Sequence, residues 1–329
     1  MTTEHPHDGV GSTETFTGAE SSQSAESSRS AQTSPGGAAL PGYYADPNIL
    51  AIGDRYYVYA TTDGYEGWGG THFEVWESPD LVAWTNRGTI LTLGTDVPWA
   101  SEHAWAPAAI ERDGKTYFYF TAEQSIGVAV ADSPVGPFRE MLGRPLVDRA
   151  DYGDGQQIDP AVFVDTDGQH YLLWGNTTGY VVPLDDTMAG FDPAAVRVVE
   201  GIDDFREALF LVERHGTYYL SWSVDDTRSE DYRVAYATGP SVHGPWTNRG
   251  VILSKDLEQG IRGTGHHSIL QVPGTDEWYV AYHRFAIPDG DGTHRETTID
   301  RLEFDVDGSI RTVVPTLGGV GPVPAPRAG

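Results

Sequence analysis

The chain has 329 residues, 48 of them acidic and 21 basic, for a formal charge of −27, and it contains no cysteine. Disulfides and thiolate chemistry are therefore excluded. So large an acidic excess disfavours nucleic acid and anionic membrane surfaces as partners and leaves a neutral ligand such as a carbohydrate acceptable.

In chain order, residues 1–40 come first. They are mostly Ser, Thr, Gly, Ala, Glu and Gln with few large apolar groups, a composition that cannot offset its ordering entropy and reads as a disordered tail. The start, MTTEHPHDGVGSTETF, has no basic region followed by an apolar run, so no secretion signal is expected. Together with the missing cysteines this points to the cytoplasm, with secretion left open. No stretch is apolar and long enough to span a bilayer as a helix. From Tyr43 the pattern is unbroken until PVPAPRAG at the end, so residues 41–329 read as one domain.

Over the whole chain 17 Tyr, 9 Trp, 39 Gly and 21 Pro favour many short strands separated by turns. One plan recurs five times: a polar or aromatic start, an apolar run, a turn with Gly, then an aromatic-rich strand. The copies are DPNILAIGDRYYVYA from Asp46, WAPAAIERDGKTYFYF from Trp105, DPAVFVDTDGQHYLLW from Asp159, EALFLVERHGTYYLSW from Glu207 and HHSILQVPGTDEWYVAY from His266. Further strand pairs follow several copies, and TNRGTIL after the first returns as TNRGVIL after the fourth. A unit of about 50 residues with four strands is a propeller blade. The expected fold is an all-β, five-bladed β-propeller.

The first strand of each blade lines a propeller's central channel, so equivalent positions face one funnel. Here those positions hold Asp46, Trp105, Asp159, Glu207 and His266. An isolated Asp-Pro is ordinary turn chemistry, and an isolated Glu a solvated charge, but three carboxyls in matching register point to a functional cluster. Close carboxylates cannot all stay ionised, because like charges raise the pKa of one member. One protonated acid beside one ionised carboxylate is what glycoside hydrolysis requires.

The motifs ADPNI around Asp46, WAP at Trp105, IDPAVF around Asp159, REALFL around Glu207, GHHSI from Gly265 and HRETTIDRLEF around Arg295, in this order, resemble glycoside hydrolase family 43. That resemblance implies a five-bladed propeller acting on arabinose- or xylose-containing polymers by inversion. It implies Asp46 as general base, Asp159 as pKa modulator and Glu207 as general acid, with base and acid roughly 6.5–9.5 Å apart. Trp105 reads as a sugar platform or as a Trp packed between blades. Arg295 reads as the arginine that reaches the sugar and the acids, or as a surface ion pair. His266 is placed near an axial cation, often Ca²⁺ and largely held by water, or is a channel histidine bonded to Asp159 or Glu207; no organic cofactor is implied.

Secondary candidates are Trp174, Gly175 and Asn176 at the end of a strand, and Glu102 and His103 at the mouth. SVDDTRSEDYR, from Ser221 to Arg233, reads as a rim loop with solvated charges. Leu209, where many relatives carry Pro two residues after the acid, is expected to reshape the wall. The motif style favours an exo-acting α-L-arabinofuranosidase, and the loop-rich GYEGWGGTHFE segment of the first blade could close one end of a cleft. The alternatives are a β-D-xylosidase, an inactive glycan-binding propeller, or a phosphorylase; the last needs a basic cluster, of which only Arg295 is evident.

Overall fold

The computed structural model describes residues 37–325. Most of the segment read as a tail, residues 1–36, lies outside the described residues. Residues 39 and 40, assigned to that tail, belong to the fold: Leu40 is fully buried and the Ala39 amide donates to the Thr297 carbonyl at 2.8 Å.

The described chain forms five antiparallel sheets in sequence order. Blade one holds β1 (Tyr44–Ile52), β2 (Arg55–Thr62), β3 (His72–Ser78) and β4 (Thr85–Thr92). Blade two holds β5 (Trp105–Arg112), β6 (Lys115–Ala122), β7 (Ser125–Ala131) and β8 (Arg139–Glu140). Blade three holds β9 (Ala161–Val164), β10 (His170–Trp174), β11 (Tyr180–Pro183) and β12 (Arg197–Val198). Blade four holds β13 (Glu207–Arg214), β14 (Thr217–Val224), β15 (Arg233–Gly239) and β16 (Thr247–Leu253). Blade five has β17 (Gly265–Gln271), β18 (Trp278–Phe285) and β19 (Arg295–Leu302), and Ala39 bonds the outer edge of β19. Within each blade the strands follow one another outward, and the first strands contact their neighbours around a closed ring, β1–β5–β9–β13–β17–β1. This is the expected five-bladed propeller.

Strand-to-strand turns are set by local chemistry. Asp113-Gly114 and His215-Gly216 join the first two strands of blades two and four, with both central residues at positive φ. That geometry matches the right-handed twist of the hairpin. Five apolar clusters then hold the ring, one between each pair of adjoining blades. Between blades one and two, Phe73 packs on Phe118 with ring centroids 5.2 Å apart; between blades two and three, Tyr119, Ile126 and Val128 cluster with Leu172, Trp174 and Val182. Burying each such ring contributes about 1.5–3 kcal/mol, so the stabilising surfaces lie between blades and leave the axial ends of the inner strands for polar groups.

Near the start of every inner strand one non-glycine residue takes a left-handed backbone: Asp46 (φ 52°), Ala106 (42°), Asp159 (60°), Ala208 (60°) and His266 (41°). The ladder slips at the same points, between Ala45 and Asn48, Trp105 and Ala108, Glu207 and Phe210, and Gly265 and Ser268. These are β-bulges, which re-aim a side chain at about 1–3 kcal/mol of backbone strain each. Their amides are latched by the preceding blade: Thr61 Oγ1 accepts from Ala106 N, Thr121 Oγ1 from Asp159 N, Ser223 Oγ from His266 N, and His283 Nδ1 from Asp46 N, at 2.7–3.2 Å.

The bulges correct the repeat register. Asp46, Asp159 and His266 are equivalent, but their counterparts in blades two and four are Ala106 and Ala208. Trp105 and Glu207 sit one residue earlier, beside Ala45, Ile158 and Gly265.

Candidate active site

Although drawn from two register positions, Asp46, Trp105, Asp159, Glu207, His266 and Arg295 all line one cavity of about 270 Å³. The three carboxyl-bearing residues are all less than a tenth exposed. His266 Nδ1 stands 3.3 Å from Asp46 Oδ1 and 3.8 Å from Asp159 Oδ2, so one imidazole nitrogen touches both acids.

Asp46 is the most heavily bonded of the three. Arg295 donates through NH1 to Oδ1 at 3.0 Å and Thr61 donates through Oγ1 to Oδ2 at 2.7 Å. Thr61 already accepts the Ala106 amide at 2.7 Å, which turns its own proton toward Asp46. Burial alone would raise the Asp46 pKa, but Arg295 and then His266 and His283 outweigh it and hold the carboxyl well below the usual range. Arg295 is itself clamped by Asp63, through Nε at 2.8 Å and NH2 at 3.2 Å, and its NH1 also reaches Thr227 at 3.2 Å. It is buried, so the surface ion pair is excluded as its description.

Asp159 and Glu207 go the other way. Burial, then the charges of Glu207 and Asp46, push Asp159 well above the usual range, against the Ala208 amide and Arg295. That amide is available because Gly175, opposite Ile158 in blade three, has no side chain to latch it; a Cβ there would meet the Thr178 carbonyl oxygen at 2.0 Å. Asp159 Oδ2 is buried without a hydrogen bond. Burial raises Glu207 to about 7, against the Tyr232 hydroxyl and Arg206, with Asp46 and Asp226 adding to the rise. Tyr232 donates to Oε1 at 2.9 Å, Asn176 Nδ2 to Oε2 at 2.7 Å, and Arg206 Nε lies 3.8 Å from Oε2. A carboxyl kept ionised beside one kept protonated near neutrality can take one proton from water and give another to a leaving group.

Several expectations need correcting. Trp174 is fully buried, stacks on Tyr180 and donates from Nε1 to Gln157 Oε1 at 2.8 Å. It is a core residue and does not meet the cavity; of its three-residue motif only Asn176 reaches the acids. Trp174→Ala is expected to destabilise the fold by about 3–5 kcal/mol with KM unchanged in the folded fraction; thermal melts and initial rates check it. Glu102 and His103 are not among the lining residues, and His103 packs its ring on Trp105 at 4.7 Å. Leu209 is buried with Phe205 against Gly179 rather than in the cavity wall. The rim loop does reach the site: Asp226, Thr227 and Arg228 line the cavity, and Asp226 binds Arg206 and Arg228 at 3.1 and 2.6 Å. Two arginines beyond Arg295 are thus present, yet both are committed to one carboxylate.

Trp105 faces the cavity and donates from Nε1 to the Trp68 carbonyl at 2.7 Å, while Trp68 Nε1 donates to the Gly292 carbonyl at 2.7 Å. This brace carries the GYEGWGG loop across one side of the mouth. His266 Nδ1 is directed at the acids, which leaves Nε2 as its free ring nitrogen. Among the described residues no three His, Cys, Asp or Glu side chains are grouped to hold a metal ion. A calcium ion, which prefers several oxygen ligands, would fit at His266 only as a mostly hydrated ion. The neighbouring His267 is buried and pairs its Nε2 with Ser221 Oγ at 2.6 Å.

Thr61, Asp63, Asn176, Tyr232 and His283 were not singled out as site residues, apart from Asn176 as a secondary candidate. The available signal was position: Thr61 and His283 close second strands at matching places.

Residues 38–310 match the family model described as glycosyl hydrolases family 43. The chain is 32% identical to a β-D-galactofuranosidase of Aspergillus niger over 295 residues, covering 84% of each. It is 29% identical to a xylosidase/arabinosidase of Bacteroides ovatus, covering 82% of this chain and 95% of that one. Among solved structures it resembles a β-xylosidase/α-arabinofuranosidase from a compost microbial metagenome in complex with xylotriose, in a calcium-free form. That likeness has a TM-score of 0.72 and 28% identity, over 85% of this chain and 98% of the other.

Proposed function

The chain belongs to glycosyl hydrolase family 43, and from that premise we propose that it is an inverting, exo-acting enzyme releasing terminal α-L-arabinofuranosyl residues. That it is a glycoside hydrolase follows from the family. The mechanism rests on one observation, the opposed electrostatics of Asp46 and Glu207 across a shared cavity.

In this reading Asp46, held ionised by Arg295, takes a proton from water as the water oxygen bonds the anomeric carbon. Glu207 gives its proton to the departing glycosidic oxygen as the carbon–oxygen bond breaks on the opposite face. Asp159, its own pKa raised by burial and by the Glu207 and Asp46 charges, orients the sugar as a protonated carboxyl, while burial and the charges of Asp46 and Asp226 keep the Glu207 proton in place. Trp105 supplies an apolar wall, and Arg295 presents charge to the sugar hydroxyls while steadying the base. A calcium ion held by His266 and water is part of the proposal; when bound it would add positive charge beside the acids.

Exo action is supported by a cavity near the small end of ligand clefts, which begin at roughly 300 Å³, and by the Trp68 brace across its side. The furanoside reading draws on the motif style and on the Aspergillus relative's name. β-D-Galactofuranose and α-L-arabinofuranose share the arrangement of their ring substituents and differ in the exocyclic arm. β-D-Xyloside is the second reading, favoured by the structural relative crystallised with xylotriose. Initial rates on the 4-nitrophenyl α-L-arabinofuranoside, β-D-galactofuranoside and β-D-xylopyranoside should give the highest kcat/KM for the arabinofuranoside. A preference for the xyloside would overturn the sugar assignment, and no turnover by folded protein would overturn the mechanism with it.

A further inference from the structure

Tyr232 precedes β15 and is completely buried. Its hydroxyl donates to Glu207 Oε1 at 2.9 Å, and its ring lies flat on the His283 ring, with centroids 5.4 Å apart and planes 7° apart. His283, from blade five, is also completely buried, and its Nδ1 stands 3.0 Å from Asp46 Oδ1. Two stacked rings therefore carry the acid at one end and the base at the other. Gly265 makes the space: a Cβ there would lie 2.4 Å from the Tyr232 ring carbons. Its φ is not in the left-handed region, so room for the ring, rather than backbone conformation, selects glycine.

We infer that the Tyr232–His283 stack, seated on Gly265, is a positioning device that fixes the separation of Glu207 and Asp46. The inference rests on their assignment as acid and base. Inversion depends on that separation, because a water must enter beside the sugar, and a misplacement of about 1 Å can cost about a hundredfold in rate. A Glu side chain has more rotatable bonds than a buried tyrosine; a hydroxyl held by a stacked, enclosed ring restrains the carboxyl where its own torsions do not.

The hydroxyl has a second, readable effect. The groups facing Glu207 are Tyr232, Asn176, Arg206, Asp46, Asp159, and Asp226 with Arg228 on the loop of blade four. Burial holds its pKa up, to about 7, and the Tyr232 hydroxyl is the first of the groups pulling it down. Activity needs protonated Glu207, so the wild-type rate should fall as pH rises through about 7. Removing the donor should move that fall to higher pH.

The test is Tyr232→Phe, which keeps the stack and loses the hydroxyl, alongside Gly265→Ala, which displaces the ring. For Y232F the expected result is a kcat about tenfold lower, KM within about twofold, and the basic limb of kcat/KM raised by about one pH unit. For folded G265A, judged by circular dichroism, kcat should fall by about a hundredfold. Wild-type kcat and basic limb in Y232F would overturn the inference, as would a loss confined to KM, and a fully active G265A would do the same. If Glu207→Gln is inactive while Y232F is normal, the inference alone fails; if Glu207→Gln is active, the acid assignment beneath it fails.

Discussion

A Glu207→Gln enzyme is expected to hydrolyse an unactivated arabino-oligosaccharide at least about a hundredfold more slowly than the wild type, within the roughly 10²–10⁴-fold range of general acid catalysis. It should lose far less on a 2,4-dinitrophenyl arabinofuranoside. The amide keeps the size of the side chain and can still bond Tyr232 and Asn176, so sugar binding should survive. What it cannot do is release a proton to the leaving oxygen. Dinitrophenolate leaves without one, which is why the two substrates should separate. Measured kcat/KM on both settles the point: equal losses would place the acid elsewhere, and an unchanged rate would make Glu207 a structural carboxyl. A wild-type protein inactive on every glycoside would instead favour the glycan-binding reading.

Asp46→Asn should be the more damaging change on activated substrates, costing about 10³-fold on the oligosaccharide and on the dinitrophenyl glycoside alike. The water must lose a proton whatever the leaving group is, so a better leaving group offers no escape. Structure should hold, because Arg295 keeps its two bonds to Asp63 when the Asp46 charge is removed. Breaking a buried pair outright costs about 3–5 kcal/mol; with Asp63 in place the fall in melting temperature should be smaller than that loss implies. Leaving-group-dependent loss in this variant would exchange the two roles. Full activity would remove Asp46 from the chemistry.

The propeller could be read from the chain because its period is long and recurs five times, and because each blade closes its first hairpin with turn chemistry such as Asp113-Gly114 and His215-Gly216. Asp46, Asp159, Glu207, His266 and Trp105 were legible because motif and repeat position agree on them, and Arg295 through its motif alone. The register within the repeat was not. Trp105 and Glu207 begin their apolar runs as Asp46 does, but the left-handed residue of the bulge is the next one, Ala106 or Ala208. Pro47, Pro107 and Pro160, each following that residue, carry the true alignment.

Trp174 misled for a related reason. Its place at a strand end beside Gly175 and Asn176 suggests the cavity, yet a strand alternates faces, and the indole turns into the packing between blades two and three. Asp63 reads as turn chemistry in TTDG; only the fold brings it to Arg295 across 232 positions. Tyr232 lies in a loop full of charges, and nothing in its neighbours in sequence marks it as the residue that touches the acid. Contacts between blades depend on closure of the ring, which no local pattern encodes.

The measurement closest to the centre of this account is proton NMR of the anomeric signal during the first minutes of hydrolysis of an α-L-arabinofuranoside. If Asp46 activates a water on the face opposite the bond that Glu207 protonates, the β-anomer of arabinose must accumulate first and the α-anomer must follow by mutarotation. First appearance of the α-anomer would mean that a carboxyl attacks the sugar directly, and the division of labour between Asp46 and Glu207 would be wrong.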